Sequence, residues 1–157
     1  MGSGVSGLYI GAVPGDADYM SKTDKFSQYI SKRKDIDPNG SYDIIAHGTP
    51  KTIEIIHNGV KVQIDHRSAA RLFAADKNYK GQKIRLLSCS TGKISTGFAQ
   101  GLADKLHVIV EAPTDILWAE PSGKHYVSGK DSRGNPDRRK PGSFRIFEPG
   151  GYKKWKK

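Results

Sequence analysis

Ile84-Arg85-Leu86-Leu87-Ser88-Cys89-Ser90-Thr91-Gly92 is an apolar run that stops at a cysteine and gives way to small, turn-forming residues. A short apolar stretch bounded in this way reads as a buried strand over residues 83–87. The cysteine then stands at the strand end, where a sheet presents side chains to a ligand. Cys89 is the sole cysteine of the chain, so no internal disulfide claims it. Upstream, Tyr42-Asp43-Ile44-Ile45-Ala46-His47-Gly48-Thr49 repeats the pattern, a strand over 42–46 ending in a histidine and a glycine. Two such strands in one sheet deliver a thiol and an imidazole to the same edge. That arrangement suits nucleophilic catalysis, with the imidazole taking or polarising the thiol proton. On this reading the Cys89 thiol is expected to titrate below the ordinary value of about 8.5.

Between these strands, residues 52–56 and 60–64 alternate apolar and polar positions around His57-Asn58-Gly59, which predicts a β-hairpin. Asp65 or Ser68 caps a helix to about residue 76, with Ala69, Leu72 and Phe73 inward. After the cysteine loop, Ser95 or Thr96 caps a helix through Phe98, Leu102 and Leu106, and residues 107–112 form another buried strand. Before His47, residues 8–13 read as a strand, 22–34 as a helix burying Phe26, Tyr29 and Ile30, and 37–40 as a turn. Beyond residue 113 the pattern loosens into strand candidates at 116–119, 124–127 and 143–147, with a mobile loop expected over 128–142. Strands alternating with helices predict an α/β fold: a three-layer sandwich with a mainly parallel central sheet flanked by helices, plus the inserted hairpin. Residues 1–7 read as a linker or expression remnant, 8–150 as one domain and 151–157 as a basic tail.

A chain of 157 residues suffices for one hydrophobic core. No apolar run approaches the roughly 20 residues of a membrane-spanning helix, and the start has no signal-peptide core. Dispersed His and Asp with one Cys give no zinc-ligand spacing, so neither metal nor other cofactor is expected. The excess of 26 Lys+Arg over 16 Asp+Glu, net +10, points to an anionic partner. The charge gathers at Lys130, Arg133, Arg138, Arg139 and Lys140, and again around Trp155 in the tail. The plainer reading of both clusters is a solvated, solubilising surface. His57, His66, His107 and His125 read as structural or solvated.

The order of elements, a strand ending in His-Gly, a hairpin, a helix, a strand ending in Ser-Cys-x-Thr-Gly, a helix and a further strand, resembles the caspase-like cysteine peptidase superfamily (clan CD). That superfamily includes caspases, gingipains, CHAT peptidases and the autoprocessing domains of bacterial toxins. The resemblance covers roughly residues 8–127 and implies a catalytic dyad of His47 and Cys89, with no third member required. Backbone amides at Gly48 and Ser88, beside the cysteine, would hold the oxyanion. A groove beside the cysteine strand would read the substrate through Arg85, Asp115 and Trp118: Asp115 would favour a basic side chain and Arg85 an acidic one. Residues 112–118 and 147–151 are also similar in style to the C-terminal effector domains of bacterial polymorphic toxins.

The expected function is a cysteine-peptidase-like toxin effector that cleaves a protein or peptide substrate. It would be delivered as part of a larger secreted bacterial protein, act in the cytoplasm of a target cell, and be held by an acidic immunity or inhibitor protein or switched by an anionic activator such as an inositol phosphate. Two other readings stay open: a basic nuclease toxin acting on nucleic acid without a thiol, and an inactive binding module that keeps the fold.

Overall fold

The computed structural model describes residues 17–20, 24–36 and 40–150. The strand expected over 8–13, most of the turn at 37–40 and the basic tail lie outside the described residues. The elements in chain order are β1 (Ala17–Asp18), α1 (Lys25–Ile30), β2 (Ser41–Ile45), β3 (His47–Gly48), β4 (Ile53–His57), β5 (Val60–Ile64) and α2 (His66–Ala75). They continue with β6 (Lys83–Leu87), α3 (Phe98–Leu106), β7 (Val110–Pro113), β8 (Ile116–Ala119), β9 (His125–Lys130), β10 (Pro136–Pro141) and β11 (Phe144–Phe147).

The architecture is α/β around a mixed five-stranded sheet ordered β1-β2-β6-β7-β11. Its first four strands run parallel and β11 returns antiparallel along β7. Alternation along the strands divides the core in two. Tyr42, Ile44, Ala46, Ile84, Leu86, Val110 and Ala112 face α2 and α3, where Ala69, Phe73, Phe98 and Leu102 meet them in one cluster. Ile45 and Leu87 face the other way and pack with Met20, Ile30, Leu117 and Val127. That second face is the departure from the expected sandwich. The short helix α1 and an antiparallel sheet ordered β10-β9-β8 meet it, where helices were expected. The chain beyond β7 is rich in Gly, Pro and charge, and forms hairpins there.

The β4–β5 hairpin forms as read. Asn58 and Gly59 both take positive φ, 53° and 78°, the geometry that a two-residue hairpin turn demands. Helix α2 is capped by Asp65, whose side chain accepts from the amides of Arg67 and Ser68. For α3 the expected Ser95 or Thr96 cap is replaced by Gly97, which makes no side-chain cap bond. Instead the Phe98 amide donates to the Pro50 carbonyl at 2.9 Å. A Cβ at Gly97 would stand 2.5 Å from that carbonyl oxygen, so a tertiary contact takes over the cap and requires the glycine. His107 closes α3 in the left-handed region, which delays the next strand to Val110. The loop expected to be mobile over 128–142 is largely β10 and its turn. Asp131 accepts from the amides of Arg133 and Asn135, which fixes the reversal.

The second face also holds a buried ionic cluster. The Asp43 carboxylate on β2 accepts from the Arg33 guanidinium at 2.8 Å and from Arg85 on β6 at 2.8 Å. Arg85 reaches on to Asp35, which also meets His125 at 2.9 Å. Burial would push the Asp35 carboxyl up, but the Arg85 and His125 contacts prevail and bring it down to about 2. Removing one partner of a buried pair leaves uncompensated charge. Asp43→Ala strips a shared carboxylate from two guanidinium groups, and should lower unfolding free energy by about 3 kcal/mol or more, read as a shift in the urea midpoint at constant m-value.

Candidate active site

Strands β2 and β6 are adjacent, parallel and in register, with Ile44 opposite Leu86 and Ile45 opposite Leu87. His47 and Cys89 each follow the last of these pairs by two residues, so the register carries them to the same edge of the sheet and the same face. This is the carboxyl end of parallel strands, where open α/β sheets place their ligands. The Ala46 amide donates to the Leu87 carbonyl at 3.3 Å, which holds the two chain exits together.

Gly48 is dictated by this closeness. A Cβ there would lie 2.7 Å from Thr91 Cγ2 and 2.8 Å from the Cys89 carbonyl oxygen. The histidine can be followed only by a residue without a side chain, because the cysteine turn occupies the space. That turn is fixed from within and from without. Ser88 Oγ and Thr91 Oγ1 are 2.8 Å apart and buried, Ser90 takes φ 62°, and the Ser90 and Gly92 amides donate to the carbonyls of Asp115 and Pro113. Those two amides are committed to the fold.

His47 and Cys89 line one cavity of about 280 Å³ together with residues of α1 and β8. The residue that the sequence reading missed is Asp24. Its Oδ1 caps α1 by accepting from the Phe26 and Ser27 amides, while its Oδ2 lies 2.7 Å from His47 Nε2. An ionised carboxylate only accepts, so Nε2 must carry the proton and Nδ1 is left as the acceptor. Burial alone would raise the Asp24 carboxyl, but the His47 contact and the two amides outweigh it and hold it below the usual range. His47 remains about half exposed, so the pair fixes a tautomer more than it stores energy. The helix expected over 22–34 is Lys25–Ile30, and its later start makes Asp24 the N-cap, a role that an aspartate at the head of a helical run can signal.

The expected low thiol pKa is corrected. Burial pushes the Cys89 thiol up, the Asp115 carboxylate pushes the same way, and these outweigh the backbone at Leu117; the thiol's own contact is a weak donation to the Leu117 carbonyl at 4.0 Å. Cys89 is therefore a neutral thiol at rest. Iodoacetamide should alkylate it more slowly than a free cysteine at pH 7.5, with the rate still climbing past pH 8.5. A rate that levels off near pH 6–7 would contradict this.

Trp118 lines the cavity and ties its Nε1 to the Ser128 carbonyl at 3.0 Å. Arg85 and Asp115 are not among its lining residues. The Arg85 guanidinium is spent on Asp43 and Asp35, because it points from mid-strand into the ionic cluster. Asp115 accepts from the Ile116 amide beneath the cysteine turn. Lys130, Arg133, Arg138, Arg139 and Lys140 share the exposed β9–β10 hairpin. Several have partners: Arg138 stacks 3.7 Å over Tyr126, Arg139 pairs with Asp137 at 3.0 Å, and Lys140 donates to the Lys130 carbonyl. Of the remaining histidines, the His66 ring packs where a Gly101 side chain would stand, and His125 belongs to the ionic cluster.

A family model described as a domain of unknown function, DUF8616, matches residues 15–127. The chain belongs to the DUF8616 family. No curated protein and no solved structure matches it. The DUF8616 span includes Asp24, His47, Cys89 and Trp118, and ends within β9, before most of the basic hairpin. Among the described residues of this DUF8616 member, no helix is long and apolar enough to cross a membrane.

Proposed function

We propose that this domain is a cysteine-dependent peptidase of caspase-like arrangement, working through Cys89, His47 and Asp24. The observation that carries the reading is the shared cavity of a thiol and an imidazole whose Nε2 is held by a carboxylate at 2.7 Å. The adjacent, in-register His and Cys strands with a hairpin between them support the caspase-like arrangement. The antiparallel second face is this chain's own variation on it.

Because the thiol is neutral at rest, attack is coupled to proton transfer. Cys89 Sγ adds to the carbonyl carbon as its proton passes to His47 Nδ1, and Asp24 steadies the imidazolium that forms. Backbone amides at Gly48 and around Ser88 would hold the oxyanion. The imidazolium then protonates the leaving amine, the C–N bond breaks, and a thioester remains on Cys89. Water, deprotonated by His47, hydrolyses it and restores the thiol.

The resemblance to toxin effector domains suggests the setting: delivery within a larger bacterial protein, action in a target cell, and restraint by an acidic immunity protein on the basic hairpin. Such a contact should weaken with added salt. Expression in bacteria, followed by sequencing of total RNA and mapping of new protein N-termini, tests the reading. New N-termini with intact RNA are expected. Fragmented RNA with an unchanged proteome would replace the peptidase with a nuclease.

A further inference from the structure

We infer that the cavity beside Cys89 is a specificity pocket for an apolar side chain, aromatic or branched aliphatic, on the acyl side of the cleaved bond. The inference rests on the peptidase reading and deepens it. Its apolar lining includes Met20, Phe26, Tyr29, Leu117, Trp118 and Ala119. Phe26 and Tyr29 come from one face of α1, the others from β8 and the segment after β1. Several of these side chains continue the second core cluster, where Met20 and Leu117 are buried and Phe26 and Ala119 pack against them. The pocket is therefore an open extension of a hydrophobic core.

Among the described residues no carboxylate lines it, so a lysine or arginine would give up hydration without an ion-pair partner in the wall. Its charged or titratable members are His47, Lys25, the Tyr29 phenol and the Cys89 thiol, which burial keeps protonated. Lys25 is exposed at the start of α1. An apolar side chain gains by leaving water and filling the space. Since α1 carries both this wall and the Asp24 cap, a filled pocket also packs the helix that holds His47.

Peptidyl chloromethyl ketones that differ only in the residue next to the ketone provide the test. Cys89 Sγ displaces chloride to form a thioether, and intact-mass and peptide mass spectrometry of the full chain give the rate and the site. Leu, Phe and Met probes should label Cys89 at least tenfold faster than Lys, Arg or Asp probes. Tyr29→Glu should reverse the order, slowing the Leu probe and accelerating the Arg probe. Ala119→Asp serves the same purpose if the first variant melts early. Labelling of Cys89 that favours charged probes, or shows no preference, overturns the pocket and leaves the peptidase reading standing. Failure of every probe to label Cys89 overturns both.

Discussion

Cys89→Ala should reduce peptide cleavage to background, a loss of at least about 10³-fold in kcat, because no other group in the cavity can form the thioester. The fold should be untouched. Cys89 sits at a turn held by the Ser88–Thr91 hydroxyl pair and by the Ser90 and Gly92 amides, and the sulfur's own contribution is one weak contact to the Leu117 carbonyl. The melting temperature should therefore move by no more than about 2 °C, the shift that a few tenths of a kcal/mol would produce. Cys89→Ser is a sharper variant: it keeps size and a proton but loses the polarisable nucleophile, and should be nearly as inactive. Full activity in a folded Cys89→Ala protein would assign the chemistry to another site and remove the thiol from the mechanism.

The strands that place the site were legible for a simple reason. Residues 42–46 are buried on both faces and 84–87 largely so, and their apolar runs end abruptly in His-Gly and Ser-Cys. Their parallel pairing followed from the hairpin and the helix between them. Asp24 was not legible, since nothing local distinguishes an N-cap aspartate that also reaches an imidazole 23 residues away. Arg85 misled for the opposite reason. Its place on the cysteine strand suggested the groove, but it sits mid-strand, well back from Cys89, where it pairs with Asp43, itself a charge hidden in an apolar run. The thiol's direction of titration was equally invisible, because it depends on the β8 segment that folds over the turn and on Asp115 beneath it. The β9–β10 hairpin was hidden by its Gly, Pro and charge content, and only the Asp131 turn and the stacking of Arg138 on Tyr126 reveal why it is ordered.

His47→Ala should cost nearly as much as the cysteine change, and the double variant should be little worse than either alone. With a thiol whose pKa is raised by burial, very little thiolate exists at neutral pH without a base to take the proton. Removing the imidazole also removes the acid that protonates the leaving amine. Each loss disables the same step, so the two free-energy penalties cannot add. Asp24→Asn divides the pair's contribution further: the amide oxygen can still cap α1, while the negative charge behind Nε2 is gone. Because the pair is partly open to solvent, that variant should lose about 10–10² in kcat with little change in KM. A thermodynamic cycle measured on kcat/KM for Cys89→Ala, His47→Ala and the double variant gives the answer. Additive losses would mean that thiol and imidazole act separately, and the shared cavity would then be a coincidence of the fold.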